Sequence, residues 1–306
     1  MAQAPISTML PLNAKQGRDW LAILNCTVWA TVILIMTLSK LKGIQEVVLA
    51  LLFGLITLIV NADYLFSHTR LYKVFKVTWN ALCYEAAGTA ALVLVSLSVD
   101  LPFAMGLAMA VLSALVGSQS GGHYNPVVTL AALQSGQNMI RQNAAILYGC
   151  AQLVAGLCAA YLYCLAIPYE ASALAPANDF SSGAAAMVDA ATAAALSFVV
   201  LFLASWKSRA GRPLAGMAAG GVVTAMQIGG AAVTKISANP VVALAHLVVY
   251  FFREGFVGKA EIHVHGPSSL PPKFAAVYIV APFLGAVAGT LAFRALRPDL
   301  VVDKSK

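Results

Sequence analysis

The four residues Asn125-Pro126-Val127-Val128 return as Asn239-Pro240-Val241-Val242, each time opening a short apolar stretch that follows a longer one. A single Asn-Pro pair is ordinary helix-start chemistry. The Asn side chain satisfies a free N–H of the first turn, and Pro fits the first helical position because no donor is needed there. Two copies at matching places in two similar halves need a further explanation. The stretches they open, 125–134 and 239–252, fall short of the roughly 20 apolar residues that cross a bilayer. Irregular backbone at membrane depth survives only when it is buried in protein or lines water. The pattern therefore predicts two re-entrant half-helices whose positive N-terminal ends and Asn carboxamides converge on one point, the geometry of a pore constriction.

Composition supplies the membrane that this reading requires. Hydrophobic residues make up 60% of the chain and charged residues only 10%, against roughly 25% charged in a soluble domain, and the mean hydropathy is +0.81. Eight stretches are long enough, or nearly so, to span: 20–39, 45–66, 77–99, 101–118, 144–166, 184–206, 213–231 and 274–296. The first is followed by Lys40 and Lys42 rather than small residues, so it reads as a retained segment and not a cleaved signal. The cations lie singly or in short clusters beside apolar runs, which excludes a nucleic-acid-binding reading. With the N-terminus in the cytoplasm, thirteen Lys and Arg fall on the inner side and six on the outer side, as the positive-inside rule favours. The same orientation sets the two half-helices on opposite sides, as expected of an inverted repeat with its axis in the membrane plane.

The repeat is visible in the letters. Glu85-Ala86-Ala87-Gly88-Thr89 opens one half and Asp189-Ala190-Ala191-Thr192 the other. Pro102-Phe103-Ala104 then pairs with Pro213-Leu214-Ala215, and the Asn-Pro stretches follow in the same order. The predicted organisation is an N-terminal tail (1–19), an additional transmembrane hairpin (20–76), a first repeat (77–166), an outer connecting loop (167–183), a second repeat (184–297) and a C-terminal tail (298–306). Cys26, Cys83, Cys150, Cys158 and Cys164 all sit in apolar stretches without metal or disulfide spacing and read as packing residues.

At this point the chain resembles the aquaporin, or major intrinsic protein, family. Ser120-Gly121-Gly122-His123-Tyr124-Asn125-Pro126-Val127-Val128-Thr129-Leu130 is very close to the family's first Asn-Pro-Ala loop. Tyr148, Ala151 and Gln152 match its third helix, and Ala281-Pro282-Phe283-Leu284-Gly285-Ala286 its last. The resemblance covers about residues 77–297. It implies an all-α membrane protein: an inverted repeat of six transmembrane helices and two re-entrant half-helices, here with two additional N-terminal segments. It also implies a passive channel for water or another small uncharged solute, with no cofactor and no metal.

Particular residues inherit particular roles from the resemblance. Asn125 and Asn239, each followed by its Pro (Pro126 and Pro240), would donate to one permeating molecule while the half-helix ends oppose cations and protons. Glu85 and Asp189 would accept hydrogen bonds from the re-entrant loops, as acids inside spanning segments require partners. The outer filter, counted from the Asn residues, falls on Met105, Gln227, Ile236 and Val242. The family usually has Arg at the last of these, and Val supplies neither its charge nor its donors. Ala243 stands where glycerol-conducting members usually have Asp. The loop Thr234-Lys235-Ile236-Ser237-Ala238 lacks the usual glycines, and Lys235 reads as a snorkelling side chain.

Spacing differs between the halves: 40 residues separate Glu85 from Asn125, and 50 separate Asp189 from Asn239. The first outer loop is thus reduced to a turn near Asp100. Because such loops often join protomers, the family's homotetramer and a heteromeric membrane complex built through the N-terminal segments both stay open. Asn25, Glu46, Asn61 and Asp63 in those segments are polar groups suited to binding another helix. His263-Val264-His265 lacks a third ligand and reads as loop histidines rather than a metal site, and His123 reads as structural. The alternative to a channel is a non-conducting subunit that keeps the scaffold within a larger membrane complex. No nucleophile elbow, zinc motif or phosphate loop points to an enzyme.

Overall fold

A computed structural model describes residues 79–99, 101, 103–166, 174–176, 180–205, 211–256 and 270–300. All belong to one compact unit, Phe75–Lys306. The predicted hairpin 20–76 with its polar residues, the N-terminal tail, the C-terminal tail beyond residue 300, Cys26, and His263 and His265 lie outside the described residues.

Among the described residues eight α-helices follow in chain order: α1 Trp79–Ser98, α2 Ala104–Ser120, α3 Pro126–Gln134, α4 Gln142–Ala166, α5 Ser182–Ala204, α6 Gly211–Gly230, α7 Pro240–Phe256 and α8 Ala275–Leu296. Among the described residues there is no strand, only an isolated bridge between Pro176 and Thr234. On length and composition α1, α4, α5 and α8 can each cross a bilayer, and α2 and α6 complete the six predicted spans. The expected half-helices are α3, of 9 residues, and α7, which at 17 residues extends past the predicted end at 252.

The packing repeats with the inversion. In the first half α1 lies against α4, in the second α5 lies against α8, and α2 crosses α6 between the halves. Each half-helix touches the last helix of both halves: α3 lies on α4 and α8, and α7 on α8 and α4. Apolar collapse gives little drive between helices in lipid, so close backbone approach through small residues holds them together. A Cβ on Gly285 or Gly289 would run into the carbonyl oxygens of Ala190 and Ala194 on α5. A Cβ on Gly106 would strike Gly220 and Thr224 on α6, and one on Gly220 would strike the Gly106 carbonyl.

The outward faces are apolar, as a lipid-facing surface requires. Met187 is 71% exposed and Leu284 65%. The cysteines divide along this boundary. Cys158 is buried, whereas Cys83 and Cys150 are exposed on α1 and α4, so packing within the chain does not describe those two.

Where helices meet through backbone, a side chain has nowhere to go. Gly106→Val should therefore destabilise the protein toward the upper end of the about 1 to 3 kcal/mol typical of overpacking. Gly221→Ala, on a helix position with open space around its Cβ, should gain up to about 1 kcal/mol from helix propensity. Thermal unfolding in detergent compares the two; equal melting temperatures for them would contradict the close α2/α6 crossing.

Candidate functional site

The N-terminal ends of α3 and α7 meet inside the helix bundle. Asn125 Oδ1 accepts from the Val127 amide at 2.9 Å, and Asn239 Oδ1 accepts from the Val241 amide at 3.1 Å, so each Asn caps its own half-helix. Each carboxamide nitrogen also crosses the gap. Asn125 Nδ2 donates to the carbonyl of Ala238 at 2.8 Å, and Asn239 Nδ2 donates to the carbonyl of Tyr124 at 3.1 Å. The two loops are thereby tied by a reciprocal pair of bonds.

The residue before each Asn makes this exchange geometrically available. Tyr124 has φ 48° and Ala238 φ 46°, the left-handed region that residues with a Cβ seldom adopt and that costs about 1 to 3 kcal/mol each. Sequence reasoning did not find this mirrored pair, since neither is Gly or Asn. Gly121 (φ 100°) and Gly122 (φ 67°) complete the first reversal, where α2 ends and its chain must turn back within a few residues.

Both reversals are held by a buried acid. Glu85 Oε1 accepts from the Ser120 hydroxyl at 2.6 Å and the His123 amide at 3.0 Å. Its Oε2 accepts from the Tyr124 amide at 2.6 Å and from Gln152 Nε2 at 2.8 Å. Asp189 Oδ1 accepts from the amides of Ser237 and Ala238, both at 2.8 Å, while its Oδ2 is buried without a partner. A tyrosine from the last helix of each half also reaches the loop of that half. The Tyr148 hydroxyl donates to the Ser120 carbonyl at 2.7 Å, and the Tyr278 hydroxyl lies 2.5 Å from Thr234 Oγ1. The signal for this pair was present as Tyr148-x-x-Ala151-Gln152 against Tyr278-x-x-Ala281-Pro282. In that alignment Pro282 replaces Gln152, the side chain that serves the second oxygen of Glu85.

Between the two Asn residues lies a cavity of about 20 Å³, room for about one water molecule. Its polar lining is Asn125, Asn239 and the loop residues Ser237 and Ala238; its apolar lining is Leu92, Met105, Met109, Leu196 and Val223. The apolar residues follow the repeat. Leu92 and Leu196 each lie seven residues after their buried acid, and Met109 and Val223 each lie sixteen before their Asn.

Comparison with known proteins agrees with this inverted geometry. Residues 66–293 match the sequence profile of the major intrinsic protein family. The chain belongs to the major intrinsic protein family. Curated relatives of this family member include aquaporin NIP1-1 of Arabidopsis thaliana, 27% identical over 199 residues, which span 63% of this chain and 60% of that relative. Another is aquaporin-5 of Ovis aries, 28% identical over 200 residues, 63% of this chain and 67% of the relative. Among solved structures, the aquaglyceroporin from Plasmodium falciparum shares the fold with a TM-score of 0.52 at 18% identity, covering 72% of this chain and 97% of that one. As a major intrinsic protein, the chain is an integral membrane protein of a transporter family rather than of an enzyme class.

The outer filter counted from the Asn residues comprises Met105, Gln227, Ile236 and Val242. Met105 alone of the four lines the small cavity. Gln227 Nε2 donates to the Ile236 carbonyl at 3.2 Å, which joins those two. The Ile236 side chain packs with Val127, Ala193, Ala238 and Ala286. Val242 is 1% exposed, in a cluster with Val93, Leu97 and Tyr163 against which Met105 also packs. His123 is buried, its ring nitrogen Nδ1 3.1 Å from Thr129 Oγ1. His246 bonds Ser96 at 2.8 Å, fastening α7 to α1. Among the described residues no three His, Cys, Asp or Glu side chains gather as metal ligands.

The two acids differ in how many of their oxygens are used, and this has a measurable consequence. In Glu85→Gln, either orientation of the amide sets an NH2 against a backbone N–H, a loss of about 2 to 4 kcal/mol for the buried donors left unpaired. Asp189→Asn keeps an oxygen for Ser237 and Ala238 and alters only the unpartnered position, so it should cost about 1 kcal/mol or less. Chemical or thermal unfolding of the two variants reads the difference, and a costlier Asp189→Asn would refute the assignment.

Proposed function

We propose that the chain is a passive transmembrane channel for water or another small uncharged solute, with its constriction at Asn125 and Asn239 and an outer filter that lacks Arg. The observation that carries this reading is the one-molecule cavity between the two half-helix starts. A carboxamide nitrogen has two N–H bonds. Each Asn uses one on the opposite loop and has the other for a molecule in the cavity. The half-helix N-termini add positive potential at the same place, which opposes cations and protons while a neutral molecule passes. Glu85 and Asp189 act in this reading as the supports of the two loops, because each accepts from the amides next to its Asn.

The filter positions give the reading its particular character. Val242 brings no charge and no donor, Met105 and Ile236 are apolar, and the Gln227 amide is engaged with the Ile236 carbonyl. Such a path strips hydration with little to replace it, so it favours small, weakly hydrated neutral molecules over ions. The N-terminus is placed in the cytoplasm on the charge distribution.

A second reading has an observation of its own. Ile236 and Val242 are buried in apolar clusters, 4% and 1% exposed, which fits a non-conducting subunit that retains the scaffold within a larger membrane complex. Flux separates the two. Full-length protein in liposomes should accelerate osmotic shrinkage or entry of at least one of water, glycerol, ammonia and hydrogen peroxide. No acceleration for any of the four would sink the channel reading and leave the scaffold. Val242→Arg should change the relative rates of these solutes; a folded variant with an unaltered profile would show that position 242 does not face the path.

A further inference from the structure

We propose that Met109 is the residue that decides which solutes pass, because it forms the neck between the constriction and a wide vestibule on the side of the first loop; this rests on the channel reading above. The vestibule has a volume of about 360 Å³ and is bordered by Ser113, Ser120, His123 and Tyr148 among others. The constriction holds about 20 Å³. Among the described residues Met109 alone lines both spaces. A molecule moving between them across this shared wall passes Met109.

The backbone around Met109 is closely packed against α6. Three residues before it, Gly106 meets Gly220 and Thr224 of α6 with no room for a Cβ. Four residues after it, Ser113 occupies the space that a Cβ on Gly216 would need. Helices α2 and α6 are therefore in close contact on both sides of Met109. Met109 itself is 5% exposed and packs with Leu92, Tyr124, Leu196 and Val223. An unbranched side chain with three rotatable bonds fills irregular space and changes rotamer without moving its backbone.

The chemistry of the neck follows from its residues. Met109, Leu92, Leu196 and Val223 offer no hydrogen bond, so a solute there has only the Asn125 and Asn239 carboxamides and the loop beside them. A single water-sized neutral molecule loses little by this exchange. A three-carbon polyol has three hydroxyls to desolvate and a larger cross-section, and the Met109 side chain stands in its way. Size exclusion at this neck is thus the work of Met109, four residues beyond Met105.

The test uses full-length protein in proteoliposomes, with water and glycerol fluxes followed by stopped-flow light scattering. Met109→Ala should raise the glycerol rate relative to water by about tenfold or more, since even one methylene in a fitted apolar site is worth about tenfold in discrimination. Met187→Ala, on the outward face of α5, should behave as wild type. Elution as a single species in gel filtration checks folding, and if Met109→Ala fails it, Met109→Val is read by the same criterion. Wild-type flux with an unchanged glycerol-to-water ratio in the folded variant overturns the role of Met109 and leaves the channel reading standing. Flux that appears only in the Met109 variant upholds Met109 as the barrier and overturns conduction by the native chain. No flux in any of the proteins overturns both.

Discussion

Reversing a peptide chain at the middle of a bilayer strips its turn amides of water, and the structure depends on how those N–H groups are satisfied. Each unpaired group would cost several kcal/mol in hydrocarbon. Here Glu85 and Asp189 accept the amides of residues 123, 124, 237 and 238. The carboxamides of Asn125 and Asn239 then take the carbonyls on the opposite side. An acid buried in a membrane helix and a reversal buried in a membrane are each unfavourable alone. Together each supplies what the other lacks, and the half-helix starts are fixed facing one another.

This arrangement needs the helices to stand very close. The acids sit on α1 and α5, and the tyrosines that reach the loops come from α4 and α8, so both pairs must approach within side-chain reach of the loops. Glycine at positions 285 and 289 lets α8 rest on the backbone of α5, and Gly106 with Gly220 does the same between α2 and α6. The result is a backbone with little freedom around a small cavity.

The inversion is kept in the backbone and broken in the chemistry. Tyr124 and Ala238 share a left-handed conformation, and Leu92 with Leu196 and Met109 with Val223 line the cavity as mirrored pairs. Yet the first loop is held through both oxygens of Glu85 and by Gln152. The second is held through one oxygen of Asp189, with Pro282 at the corresponding place on α8. The cavity lining likewise differs: Met109, which also borders the larger space on the first-loop side, is a longer and more pliable residue than its counterpart Val223.

The sequence alone determined the membrane class, the inverted repeat, the two half-helices and the Asn pair, because these depend on apolar length and on duplicated local motifs such as Asn125-Pro126 and Asn239-Pro240. It also marked Glu85 and Asp189, since an acid within an apolar run stands out by its cost. It could not show which apolar residues surround the cavity. A helix that is apolar on every side carries no periodic signal of its inward face, so Met109 on α2 and Leu196 on α5 look like any lipid-facing Met or Leu until the helices are packed. Counting from the Asn residues names Met105, Gln227, Ile236 and Val242 as a filter; only the tertiary structure shows Met105 at the small cavity and Ile236 and Val242 in apolar clusters. The strained turns at Tyr124 and Ala238 were equally a tertiary decision, because the hydrogen bonds that offset their cost arrive from Glu85, Asp189 and the opposite loop.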